Sequence, residues 1–263
     1  MSKIKNNFNK SAASYANHAF IQKEISIRLT EKISAINIKP KIVADLGAGI
    51  GIFTNNLLKN MPESKILSID FAQQTLERNN AKIKICADVE RIPISENSVD
   101  LMTSNLMLQW CDNLDVFFAQ CYRILKPNGL IIFSTFGPDT LKELKASYLD
   151  ANLNPSVNTF IDMHDIGDKI LLSGFEGPVM EMEMLTLMYE NVIDLMKDLK
   201  GIGAQTVKNK KQSIIGKNKF NNIIKMYEKY RRNGKLPATY EVIYGHAWKK
   251  DNSIKQTINI NSI

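Results

Sequence analysis

Short apolar runs and amphipathic stretches alternate without a break across the first 150 residues. "KIVADL" (41–46), "SKILSID" (64–70), residues 82–86, "VDLMTSN" (99–105) and "LIIFSTF" (130–136) each read as a strand. Stretches of helical character over about 51–60, 72–80, 113–125 and 138–150 lie between or after them. Strands separated by helices need crossover connections. The arrangement that buries them is an α/β fold with a doubly wound, mostly parallel sheet and helices on both faces. Ahead of this block, Ile21, Ile25, Leu29 and Ile33 recur at a four-residue step and predict one helix over 11–36. "KPNG" (126–129) reads as a turn, since Pro fixes φ and Asn-Gly tolerates a positive one. Beyond residue 150 the pattern predicts helices at 162–173, 191–200 and 217–232. "VMEMEMLTLMY" (179–189) suits a strand with one polar face, and "ATYEVIYGHAW" (238–248) a sheet-edge strand. The Asn- and Ile-rich tail (250–263) is expected to fray. All 263 residues are expected to form one domain.

In an open α/β sheet a ligand sits at the carboxyl ends of the strands, near the point where the strand order reverses. The first strand here runs into "VADLGAGIGIF" (43–53), with Gly47, Gly49 and Gly51 at alternate positions. These glycines allow a tight turn and a close backbone approach. A dinucleotide fingerprint needs G-x-G-x-x-G, and its sixth position is Ile52; no GK[ST] follows, which excludes a P-loop. Asp45, two residues before the glycines, would repel a pyrophosphate and suits a cation or an amine. S-adenosylmethionine carries an ammonium and a sulfonium and no phosphate, so it is the expected cofactor, with S-adenosylhomocysteine as product. Asp70 closes the second strand, with Phe71 beside it, and can accept from both ribose hydroxyls. Asp88 follows the third strand and suits the adenine amine, with Val89 flanking the ring. Asn105 ends the fourth strand and, with Leu106, faces the methionine moiety.

Several function classes are disfavoured. The three histidines are far apart and no HExxH occurs, so no metal is expected. Cys86, Cys111 and Cys121 form no CxxC and read as buried thiols of a reducing cytosol. No apolar run approaches the roughly 18–20 residues of a membrane span. The N-terminus lacks the apolar region of a secretory signal, so a cytoplasmic location is expected. The formal charge is +7, and twelve Lys/Arg against Asp198 and Glu228 between Lys197 and Lys235 make that segment +10. Such a segment is either a solvated helical face or a docking surface for an acidic partner. Phe220, Tyr227 and Tyr230 fit helix packing, and no N-P-P-Y motif follows the fourth strand, so nucleic acid is not expected as a partner.

D-x-G-x-G-x-G followed by a strand-end acid resembles the class I SAM-dependent methyltransferases. "FNKSAASYANHAFIQ" (8–22), "SNLMLQWCDNL" (104–114), "FSTFGPDTLKEL" (133–144), "LKGIGA" (199–204) and "LPATYEV" (236–242) are similar to the malonyl-acyl carrier protein O-methyltransferases of early biotin synthesis. The resemblance covers nearly the whole chain. It implies methylation of the free carboxyl of a malonyl thioester on acyl carrier protein, which masks the charge for fatty-acid elongation. It further implies that residues 1–36 form a lid whose Tyr15 and His18 close on the cofactor. The basic helical insertion (190–235) then gains an acidic partner, the carrier protein. A malonyl carboxylate is already ionised, so no general base and no catalytic side chain is expected. Lys200, Tyr240, Gln109 and Trp110 are the candidates for holding the acceptor. Two positions depart from the family pattern: Thr159 stands where Arg is common, and Ala48 where Cys is. Lys200, Arg231 or Arg232 then compensates for the arginine, or the acceptor differs. A small free carboxylic acid as acceptor, or a SAM-binding protein like the complex I assembly factors, remains open.

Overall fold

The structure is a computed structural model that describes residues 2–12, 14–202 and 216–251. Three helices precede the sheet: α1 (Ser2–Ser11), α2 (Tyr15–His18) and α3 (Phe20–Ala35). The single helix expected over 11–36 is therefore broken. Ser11 Oγ donates to the carbonyls of Asn7 and Phe8, and Ser14 Oγ to that of Ser11. Such back-bonding competes with helix continuation. Fully buried Ala19, at φ −88° and ψ 45°, turns the chain a second time. Only α3 presents the expected apolar stripe, and Ile21, Ile25, Leu29 and Ile33 are all buried against one face of the sheet.

The strands and helices then alternate as β1 (Ile42–Leu46), α4 (Ile52–Asn60), β2 (Lys65–Asp70), α5 (Gln73–Glu77), β3 (Ile83–Cys86), β4 (Val99–Asn105), α6 (Leu114–Ile124) and β5 (Leu125–Phe136). After β5 come α7 (Lys142–Asp150), α8 (Met163–Leu172), β6 (Phe175–Tyr189), α9 (Val192–Gly201), α10 (Lys217–Tyr227) and β7 (Leu236–Lys249). The sheet order is β3-β2-β1-β4-β5-β7-β6. The first five strands pair in parallel, and β7 lies antiparallel to both of its neighbours. The order reverses between β1 and β4, so the ligand crevice of this topology opens at their carboxyl ends. A second apolar layer, with Phe117, Phe118 and Cys121 of α6 among its buried members, fills the opposite face.

Four local expectations change. β7 is not an edge strand but an interior one, buried along most of its length. Its alternating polar residues face neighbouring protein rather than water. Thr239 hydrogen-bonds Glu143 through backbone and side chain, and Glu241 accepts from the amide of Asp139 at 2.6 Å. The edge belongs to β6, whose Glu181 and Glu183 turn toward α3 and pair with Lys32 and Arg28, leaving Met182, Met184 and Met188 exposed. Residues 126–129 bulge out within β5: Val99 pairs Leu125 but Leu101 already pairs Leu130, with Asn128 at φ 61°. Cys86, at the exposed end of the outermost strand β3, is exposed, whereas Cys111 and Cys121 are buried.

Candidate active site

The glycine loop is held by the strand beside it. The amides of Gly47 and Ala48 both donate to the carbonyl of Ile69 on β2, at 2.8 and 3.0 Å. Gly47 sits at φ 70°, where a Cβ would stand 2.2 Å from Met107 Cγ, so only glycine fits. Gly49, at φ 51°, has no atom within 4 Å of a notional Cβ and faces open space. Its amide donates to Asp70 Oδ2 at 2.9 Å, and Ala72 donates to Asp70 Oδ1 at 2.7 Å. Each Asp70 oxygen keeps a lone pair for another donor. Burial pushes this carboxyl up to about 6, against the pull of those two amides and of the Lys5 charge.

Asp45, on β1, is 1% exposed. It accepts from Thr54 Oγ1 at 2.6 Å, and Thr54 in turn accepts from Asn79 Nδ2 at 2.9 Å. Burial raises its carboxyl to about 7; the Thr54 bond opposes the rise and the Asp70 charge adds to it. Asp88 follows β3 with buried Val89, and its Oδ1 accepts from the Glu90 amide at 3.0 Å. At the end of β4, Asn105 uses both ends of its amide on protein: Nδ2 donates to the Gln22 carbonyl at 3.1 Å, and Oδ1 accepts from Ser134 at 2.8 Å. Leu106 follows at φ 54°, its amide bonded to the Ser134 carbonyl.

All these groups line one cleft: Asp45, Gly47, Gly49, Asp70, Phe71, Asp88, Val89, Asn105 and Leu106. Gly51, at φ 92°, precedes α4 and packs against Asn79 instead. The N-terminal helices close the cleft from above. Tyr15 lines it and feels the Asp70 charge; burial first and that charge second raise its hydroxyl. Phe8 stands edge-on to Phe71 at 6.3 Å and to Trp110 at 5.3 Å. His18 points the other way, its Nδ1 2.8 Å from Asp198 on α9. Tyr189 donates to the same carboxylate at 3.1 Å and shares a hydrogen bond with Tyr240. Tyr240 lines the cleft, so one chain of polar contacts runs from the cleft wall to the lid.

Of the residues expected to hold the acceptor, Gln109, Trp110 and Tyr240 line the cleft, and Gln109 is fixed by the Leu106 carbonyl at 2.7 Å and Thr135 at 3.1 Å. Lys200 does not: it is exposed, while its neighbours Leu199 and Ile202 supply the lining from that helix end. Arg231 is engaged with Glu228 and the carbonyls of Glu190 and Gly234, and Arg232 is exposed. Thr159 lines an adjoining cavity, while Val157, Asn158 and Phe160 reach the main one. Gln22 and Phe8 escape a sequence reading. Tyr15 and Gln22 both line the cleft although the chain turns at Ala19 between them, while His18 is engaged with Asp198 instead. Among the described residues lining the cleft there are three aspartates and no Lys, Arg or His. No cluster of His, Cys, Asp and Glu suited to a metal occurs among the described residues, nor is any helix there long and apolar enough to cross a membrane.

A family model described as "Methyltransferase domain" matches residues 44–133. The chain is 41% identical over 256 residues to the malonyl-[acyl-carrier protein] O-methyltransferase of Gallionella capsiferriformans, covering 92% of this chain and 88% of that protein. It is 40% identical to the protein of that name from Methylovorus sp., over 94% of this chain and 88% of the relative. Among solved structures, phosphoethanolamine N-methyltransferase 2 of Haemonchus contortus in complex with S-adenosyl-L-methionine superposes with a TM-score of 0.56 at 14% identity. That match covers 92% of this chain and 57% of the other, and it concerns the fold alone.

Proposed function

The chain belongs to the malonyl-[acyl-carrier protein] O-methyltransferase family, and we propose that it moves a methyl group from S-adenosylmethionine to the free carboxyl of a malonyl thioester on acyl carrier protein, an early step of biotin synthesis. One observation supports the cofactor above all. The cleft at the strand-order reversal offers three aspartates and, among its described lining, no cation. A phosphate there would meet three carboxylates, whereas a cationic nucleoside finds partners in them. The residues present therefore fit S-adenosylmethionine. Asp70 takes the ribose hydroxyls with its free lone pairs, beside Phe71. Asp88 takes the adenine amine and Val89 packs on the ring. Asp45 faces the cationic end, Asn105 and Leu106 border it, Gly47 and Gly49 let the backbone come close, Gly51 starts the helix behind them, and Tyr15 covers the whole from the lid.

When bound, S-adenosylmethionine supplies an electrophilic sulfonium methyl, which a carboxylate oxygen takes while the C–S electron pair stays on sulfur. The side chains need only align the carboxylate and keep water away. Phe136, Val157, Phe160, Leu199 and Ile202 provide an apolar wall for that purpose. Gln109, Trp110 and Tyr240 would border the acceptor, and the bound cofactor would supply the positive charge for its carboxylate. Lys200 has another place in this reading. With Lys217, Lys219 and Lys225 it is exposed on α9 and α10 and carries no ion pair among the described residues, a surface suited to an acidic carrier protein. Residues 203–215 of the basic segment lie outside the described residues.

Mass spectrometry of malonyl-carrier protein after incubation with S-adenosylmethionine and this protein tests the reading. A gain of one methyl on the malonyl group, absent when the malonyl carboxyl is replaced by methyl, is expected. Methylation of a free dicarboxylic acid with none on the carrier-bound thioester would overturn it.

A further inference from the structure

Gln22 lies in the first turn of α3, next to Ile21 of the apolar stripe, and is 7% exposed. Its Oε1 is the one buried side-chain oxygen or nitrogen among the described residues that has no hydrogen-bond partner. A buried polar atom without a partner destabilises a fold, so each instance needs a reason. This one has a location that suggests the reason. Gln22 lines the cleft together with Asp45 and Asn105. Its backbone is pinned there, because its carbonyl accepts from Asn105 Nδ2 and Asn105 is itself held by Ser134. The side chain therefore starts from a fixed point at the carboxyl end of β4, across the reversal point from Asp70 and Asp88.

We infer that the Gln22 amide is a binding group for the α-amino acid end of S-adenosylmethionine. The inference rests on the cofactor reading above and names a residue for the end of the ligand that the nucleoside contacts leave unheld. That end is a zwitterion, with ammonium donors and carboxylate acceptors. An amide is the neutral side chain that serves either, through its oxygen or its nitrogen. Asp45 supplies charge at this end but offers the carboxylate nothing. The Gln22 Nε2 can donate to the carboxylate, and Oε1, the acceptor that the protein leaves alone, takes a hydrogen bond from the ammonium.

The test compares two ligands that differ in this end only. S-adenosylhomocysteine carries the amino acid; 5′-methylthioadenosine keeps the nucleoside and thioether without it. In Gln22→Met, which preserves shape and removes the amide, the Kd for S-adenosylhomocysteine is expected to rise about tenfold, the worth of one hydrogen bond. The Kd for 5′-methylthioadenosine stays within about twofold of wild type, well under one hydrogen bond. The unliganded melting temperature should not fall, since an unsatisfied atom has been removed. Gln22→Ala repeats the comparison if the methionine variant does not fold. Equal weakening of both ligands, or no change in either, would overturn the assignment. If the wild-type protein binds neither ligand, the cofactor reading itself fails, which is a different result from a Gln22 variant that binds both normally.

Discussion

Replacing Asp45 by Asn while varying pH separates a charge that recognises the ligand from a buried acid that only supports the loop. Burial holds the Asp45 carboxyl up at about 7, and the nearby Asp70 charge adds to the effect. A ligand that brings an ammonium to this carboxyl prefers its ionised form. Affinity is therefore fully present above pH 7 and lost as pH falls through it. If only the ionised form binds, the Kd rises about tenfold per pH unit below 7, or roughly thirtyfold at pH 5.5. Asp70, at about 6, adds a second and lower step with the same sign. Asn at position 45 keeps an oxygen for Thr54 and removes the charge, so its profile should be weaker overall, lose the upper step and keep the lower. Calorimetric titration with S-adenosylhomocysteine between pH 5.5 and 8.5 reads both, and proton release near pH 7 should vanish in the variant. A wild-type Kd that stays flat across this range, or an Asp45→Asn profile that retains the upper step, would refute the reasoning.

Asp70→Ala removes the acceptor for the Gly49 and Ala72 amides as well as the expected ribose anchor; S-adenosylhomocysteine affinity should fall about tenfold to a hundredfold, the range of one or two charge-assisted bonds, measured by the same titration. Gly201→Ala places a Cβ 2.3 Å from the His18 ring, so α2 must leave α9. Limited proteolysis should then cut the N-terminal helices faster, with the melting temperature of the sheet little changed. Lys200→Ala, combined with Lys217→Ala and Lys219→Ala, should raise KM for the carrier-bound acceptor severalfold, a deficit that shrinks with added salt. The same triple variant should act on malonyl-pantetheine, which has no acidic carrier, at the wild-type rate.

The sheet and its ligand edge were legible because they follow from local rules. β1, β2 and β4 show the apolar runs of buried parallel strands, and the Asp and Asn that end β2 and β4 mark where those runs reach the surface. The glycines at 47, 49 and 51 all adopt positive φ, as their spacing implied. What escaped depends on contacts between distant segments. No periodicity shows that Thr239 and Glu241 spend their polarity on α7 and the turn before it, so β7 read as an edge. Nor does it show that the serines at 11 and 14 break the first helix. Lys200 matched a motif, yet in the structure it is the apolar neighbours in that motif that reach the cleft. Gln22 carries no signal of its own in the sequence, and only three-dimensional accounting of its oxygen distinguishes it.

β7, the last strand in chain order among the described residues, lies between β5 and β6 rather than beyond them. While the polypeptide is still emerging from the ribosome, β5 therefore ends the parallel half with a bare edge, and β6 has no partner at all. At about 5–20 residues per second, translation from the end of β5 to the end of β7 takes on the order of ten seconds. During that interval the cleft residues at the ends of β1, β2 and β4 are already in the chain, while Tyr240, which lines the same cleft from β7, is still missing. The cleft is thus lined in two stages, and its lining is complete only when the final strand threads in.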